Sequence, residues 1–191
     1  MSHGMVSAAQ PEAVEAGIEA LKGGGNAVDA AIAAAIVQTV VDPQMCGIAG
    51  FGSLQVYDPQ KGRHVCHDFH GRAPLAVKPD MWEKLLIGEA EDGFGFILEG
   101  RVNEIGYGAI TTPMTIRGLD EALRRYGTRA LKDLLGAAIH YAENGFMVRP
   151  HVAAYWNQVP TEGRAPHSDF LTKLPATRKI YAKANGKLHA V

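Results

Sequence analysis

The chain reads as an α+β protein that supplies only part of a layered fold, and three stretches carry that reading. Residues 21–58, LKGGGNAVDAAIAAAIVQTVVDPQMCGIAGFGSLQVYD, pass from a glycine triplet through an apolar helix and a second glycine-rich loop into a strand. Residues 63–69, RHVCHDF, alternate in polarity behind a Pro59–Gly62 turn and make a β-hairpin with residues 53–58. Several helices follow, without the further strands that a compact sheet would need.

Taken in order, residues 6–9 (VSAA) suit a short first strand. Pro11 then suits a helix start, with Glu12 and Glu15 in the first turn, where the helix dipole favours anions. Val14, Ile18 and Leu21 recur at helical spacing, and the glycines from Gly23 stop this helix. Asn26 is a good N-cap for the next one, and Asp29, three residues on, completes a capping box. From Ala27 to Val41 only Asp29, Gln38 and Thr39 are polar, which predicts a helix buried on every face and stopped at Asp42-Pro43. In the hairpin, Leu54 and Val56 share one face, as do Val65, His67 and Phe69.

Gly71 to Pro79 reads as loop, followed by a short helix through Met81, Trp82 and Leu85. Residues 88–108 are rich in glycine and show no period, which predicts a long irregular loop. Ile116, Leu119, Leu123 and Tyr126 mark an amphipathic helix ending at Gly127. Thr128 is expected to cap a longer helix through Leu131, Leu135, Ala138 and Ile139, closed by Asn144-Gly145. Near the end, Ala184-Asn185-Gly186-Lys187 signals a hairpin turn between residues 179–183 and 188–191.

Composition narrows the class. With 191 residues, 47% hydrophobic and 20% charged, the chain can bury a core as one domain. A net charge of −1 without blocks of like charge argues against nucleic-acid and membrane-surface partners. Cys46 and Cys66 do not form a disulfide framework, so a reducing compartment fits. The opening MSHGMVSAAQP has neither the basic nor the apolar region of a signal peptide. The longest apolar run falls short of the ~20 residues needed to span a bilayer. A soluble, cytoplasmic protein is expected.

Three groups of residues invite a chemical reading. Gly23-Gly24-Gly25-Asn26 before a helix offers backbone N–H groups to an anion. It lacks the lysine and hydroxyl of a P-loop, so a nucleotide-binding module gains little support and a plain turn suffices. His64, Cys66, His67, Asp68, His70 and Arg72 crowd nine residues. On a strand, however, His64, Cys66 and Asp68 face one way and His67 the other, so no metal site is expected, and no cofactor. His70 and Arg72 remain as a candidate substrate-facing rim: the guanidinium offers a fork for a carboxylate, the imidazole a titratable donor. Cys46 is expected to be buried rather than reactive, and no residue has the setting of a catalytic nucleophile.

With these motifs in hand, the run MVSAAQPEAVEAGIEALKGGGNAVDAAIAAAIVQTVVDPQMCGIAGFGSLQVYD resembles the start of the large subunit of gamma-glutamyltranspeptidase-family proteins. Residues 69–74 and the later ITTPMTIRGLDEALRRYGTRALKDLLGAAIHYAENGF keep the family's order and spacing. The resemblance spans residues 5–150 closely and the tail loosely. It implies an N-terminal-nucleophile hydrolase with an αββα sandwich, of which residues 1–191 form part of the large subunit within a single domain. It also implies acyl transfer from a small amide by the N-terminal threonine of a small subunit, a partner polypeptide absent from this chain. Whether such a pair builds a higher oligomer is left open.

One departure stands out. The family order before Ala-Pro is Arg-Glu-x-Ala-Pro, whose arginine binds the substrate's α-carboxylate. Here the order is His70-Gly71-Arg72-Ala73-Pro74. An imidazole does not replace a bidentate guanidinium, which points away from glutathione and towards another small amide. The rival from a different class is a non-catalytic, truncated or degenerate homologue acting as a scaffold or interaction module.

Overall fold

In the computed structural model, which describes residues 4–160 and 163–190, Pro11 opens helix α1 (Pro11–Lys22) and Gly23 closes it. Its packing face is the small one. Ala13 and Gly17 are buried and Ala16 and Ala20 partly so, whereas Ile18 is exposed. That face lies along α2 (Ala27–Val41), and small side chains on both helices permit the close approach.

Helix α2 starts where the capping chemistry says. The Asn26 side-chain oxygen accepts from the Val28 and Asp29 N–H groups at 2.9 and 3.1 Å. The Asp29 carboxylate accepts the Asn26 N–H at 2.7 Å. The box then reaches across the fold. Asp29, fully buried, also accepts the Thr128 N–H at 2.9 Å, the Thr128 hydroxyl at 2.6 Å and the Arg129 N–H at 3.1 Å. The Asn26 amide donates to the Tyr126 carbonyl at 2.7 Å. Two residues thus fasten the start of α2 to the end of α3 (Thr115–Tyr126). Gly127 belongs to the same knot, since a Cβ there would sit 2.7 Å from an Asp29 oxygen.

Strands β1 (Gly52–Asp58) and β2 (Arg63–Phe69) form the expected hairpin, pairing antiparallel from Gly52–Phe69 to Asp58–Arg63. Val56 and Phe69 are buried and Leu54 is partly buried in one core with Ile32, Ile36, Val37, Leu119 and Leu123. Burial of this order, about 25 cal/mol per Å² of apolar surface, is what seats the hairpin on α2 and α3. These parts, with α4 (Leu131–Leu134) and α5 (Gly136–Asn144), form the first of two compact units, Met1–Arg72 with Thr112–Phe146.

The second unit, Ala73–Thr111 with Met147–Val191, holds a small hairpin of β3 (Leu86–Glu89) and β4 (Phe96–Leu98) and three short helices. These helices are α6 (Pro150–Trp156), α7 (His167–Thr172) and α8 (Pro175–Tyr181). Trp156, almost wholly buried, meets Tyr181 edge-on at 5.7 Å. Arg164 grips Asp92 with two bonds of 2.8 Å, tying the β3–β4 turn down.

Several expectations need correction. Residues 6–9 form no strand, because among the described residues nothing pairs with them. Helix α2 is not covered on every face. Ala27 and Ala31 are exposed beside an open groove of about 600 Å³ under residues 4–9. Residues 88–108 are not irregular throughout, since most of the β3–β4 hairpin falls there. Thr128 does not cap the next helix; its hydroxyl is spent on Asp29, and Asp133 accepts the Ala130 N–H at 3.3 Å instead. That helix is broken at Leu135. Of the final hairpin only one bridge forms, Ala182–Leu188, because residues 179–181 finish α8; Val191 lies outside the described residues.

Burial alone would raise the Asp29 carboxyl, but the Thr128 hydroxyl and the N–H groups of Asn26, Thr128 and Arg129 outweigh it and hold it below the usual carboxylate value of 3.8. A depressed carboxyl stabilises the fold above its unfolded value, and that share is lost as pH falls through the folded one. Asp29→Ala, which orphans several donors, should cost about 3 kcal/mol in urea titrations at pH 7. The same variant should flatten the fall in stability below pH 4.

Candidate functional site

The hairpin's open end is where the sequence-derived site residues lie. Three segments meet there, each held by backbone chemistry. The Gly50 carbonyl accepts the Met114 and Thr115 N–H groups at 2.9 and 3.1 Å. The Arg72 carbonyl accepts the Thr112 N–H at 2.9 Å. Residues 112–115 therefore bind both the loop entering β1 and the chain leaving β2. Phe69, the last residue of β2, fixes the depth of the exit. Its ring lies so close to Gly118 of α3 that any Cβ there would overlap ring carbons.

His70 follows directly and is exposed. Its N–H donates to Asp68 Oδ1 at 2.9 Å, and its Nδ1 lies 3.7 Å from the same oxygen. Its ring meets that of Phe51 at 4.6 Å between centroids, inclined by 38°. Arg72 is exposed as well, and among the described residues its guanidinium makes no hydrogen bond or ion pair. The two residues expected at a rim thus share one end of the hairpin, but their side chains are not joined to each other.

Sequence reasoning missed Phe51. It sits within CGIAGFG, a stretch valued only for its glycines, and its half-exposed ring is the partner His70 uses. Its one local signal was a large aromatic next to a strand start. The role of residues 112–115 in bracing the rim left no local signal, because the contacts are long-range.

On the outer face of β2, His64, Cys66 and Asp68 are exposed, while His67 is turned towards Tyr126, 6.5 Å away. Among the described residues no three His, Cys, Asp or Glu side chains converge on a metal position. Cys46 is partly buried with its Sγ 3.7 Å from the Asp42 carbonyl. Burial first, and then the Asp42 charge, push this thiol up to about 11. A groove of about 440 Å³ between α1 and α5, and the one beside α2, include neither His70 nor Arg72.

Comparison with known proteins places this geometry. The family model described as gamma-glutamyltranspeptidase matches residues 13–191. The chain belongs to the gamma-glutamyltranspeptidase family. A glutathione hydrolase proenzyme of Bacillus subtilis is 39% identical over 145 residues, 76% of this chain and 23% of that protein. An acylase ACY 1 proenzyme of Pseudomonas sp. strain V22 is 40% identical over 154 residues, 80% of this chain and 26% of that protein. The chain thus spans about a quarter of the length of these relatives. Among solved structures, Helicobacter pylori gamma-glutamyltranspeptidase superposes with a TM-score of 0.79 at 28% identity, covering 97% of this chain and 48% of that one. A cephalosporin acylase from Bacillus halodurans gives a TM-score of 0.64 at 30% identity, over 82% of this chain and 28% of that one.

The fold class expected from the sequence therefore stands. The chain is an α+β portion of the N-terminal-nucleophile-hydrolase sandwich, contributing helices and a hairpin. No helix among the described residues is long and apolar enough to cross a membrane.

Gly118→Ala should destabilise the protein by about 1–3 kcal/mol through overpacking against Phe69. Phe69→Leu added to it should recover part of that loss, a coupling that urea-denaturation midpoints of the single and double variants would measure. In alkylation followed by mass spectrometry at pH 8, Cys66 should be modified first. Cys46, with only about one thiolate in a thousand at that pH, should lag until the pH is raised.

Proposed function

We propose that this chain is the large-subunit portion of a gamma-glutamyltranspeptidase-like amidohydrolase or acyltransferase acting on a small amide. Family membership over residues 13–191 carries the reading, and the proenzyme names of its relatives support a cleaved precursor. On this reading the nucleophile is the N-terminal threonine of a small subunit. Its hydroxyl oxygen attacks the amide carbonyl carbon while its own α-amine takes the proton. The C–N bond then breaks, the amine leaves with that proton, and water or a second amine takes the acyl group. The oxyanion is held by backbone N–H groups, also outside this chain.

This chain's share is recognition. His70 and Arg72 stand at the hairpin end as the substrate-facing rim, and the brace from residues 112–115 keeps that rim in place. Relatives named both glutathione hydrolase and acylase support a choice of acyl group made by such positions. His70 and Gly71, in place of the Arg-Glu of the family order, favour an amide other than glutathione. A reducing, cytoplasmic setting is part of the same proposal, supported by two unpaired cysteines.

Denaturing intact-mass analysis of the full-length gene product, with N-terminal sequencing of each band, tests it. A second polypeptide beginning with threonine, and loss of anilide cleavage when that threonine is changed to alanine, are the expected results. A single uncleaved species that turns over no amide would sink the reading and leave the non-catalytic scaffold, which the altered rim also favours.

A further inference from the structure

The rim carries more than a missing arginine. Phe51 lies half-exposed with the His70 ring against it, and the same loop also presents Met45 and Ile48 to solvent. Asp68 accepts the backbone N–H of His70 at 2.9 Å, and the same Oδ1 lies 3.7 Å from the imidazole Nδ1. At the position where the family order puts its arginine, this chain therefore has two flat rings beside an apolar loop, with the Asp68 carboxylate close by and the Arg72 guanidinium two residues on. Arg72 still offers a cation two residues on, so charge does not decide the choice; the paired rings do, because they favour a third ring stacked or set edge-on.

From this juxtaposition we propose that the Phe51–His70 shelf selects an aryl-acyl group, making the preferred substrate class aryl-acyl amides rather than γ-glutamyl amides. The proposal rests on the amidohydrolase reading above and adds the identity of the acyl side. Phe51 is the specificity-determining residue: its ring is the one aromatic ring that the His70 ring meets among the described residues. The Gly50 carbonyl accepts the Met114 and Thr115 N–H groups, which anchors the backbone one residue before Phe51.

The test uses the full-length, processed protein with three chromogenic anilides: phenylacetyl-, acetyl- and γ-glutamyl-p-nitroanilide. We expect kcat/KM for the phenylacetyl compound to exceed that for the γ-glutamyl compound at least tenfold. Phe51→Ala should lower phenylacetyl turnover about tenfold more than acetyl turnover, the size expected for losing one aromatic contact with its burial. Phe51→Leu should fall between, and both variants should melt near the wild-type temperature because the ring is half-exposed. His70→Arg should shift the phenylacetyl-to-γ-glutamyl ratio towards γ-glutamyl. A wild-type preference for γ-glutamyl, or equal losses on all three anilides in Phe51→Ala, would overturn the shelf and leave the hydrolase reading intact. Cleavage of none of the three by wild type would bring down both.

Discussion

One buried carboxylate organises the first compact unit. Asp29 caps its own helix and at the same time receives two N–H groups and a hydroxyl from residues a hundred positions away. A carboxylate taken out of water is tolerated only when its lone pairs are filled, and here protein donors fill them. The consequence is geometric. Helix α2 cannot rotate or slide without undoing the turn that ends α3, so the helices beneath the hairpin keep one relative position. Asn26 adds a second tie at Tyr126, which makes the joint two-point rather than a pivot.

That joint matters to the rim because the hairpin is seated on the same two helices. Phe69 fills the space left by Gly118 on α3, and Val56 and Leu54 reach the apolar side of α2. The position of His70 is thus inherited from packing one residue earlier, and the position of Phe51 from the Gly50 carbonyl one residue earlier on the other strand. Side chains at the mouth are exposed and polar or aromatic, while what aims them is buried and backbone-bonded. This division lets the rim vary in chemistry while the hairpin stays put.

Much of the fold was legible in the sequence because the signals were local. Asn26 and Asp29 three apart, Pro11 at a helix start, Gly127 and Gly145 past helix ends, and the alternation in 53–58 and 63–69 each act within a few residues. The errors came where a residue had two suitors. Thr128 is a good cap by type, yet the buried Asp29 takes its hydroxyl. Val14, Ile18 and Leu21 marked the helix by their spacing, yet the side it buries is the small one, Ala13-Gly17. The strand expected at residues 6–9 needs a ladder partner, and the described residues supply none. For the candidate site, His70 and Arg72 were visible from residue type and then from the family resemblance, whereas Phe51 drew notice only once its ring was seen against the imidazole.

The hydrogen bond between Thr112 and Arg72 also bears on how such a chain can change over time. It closes residues 73–111 into a loop whose two ends touch, so lengthening an unpacked part of that stretch adds a closure cost that grows only slowly with length. Insertions and deletions there leave the hairpin's register and the brace behind the rim as they are. Change in this excursion is therefore cheap where nothing packs on it and costly where Ala90 and Leu98 are buried and Arg164 grips Asp92.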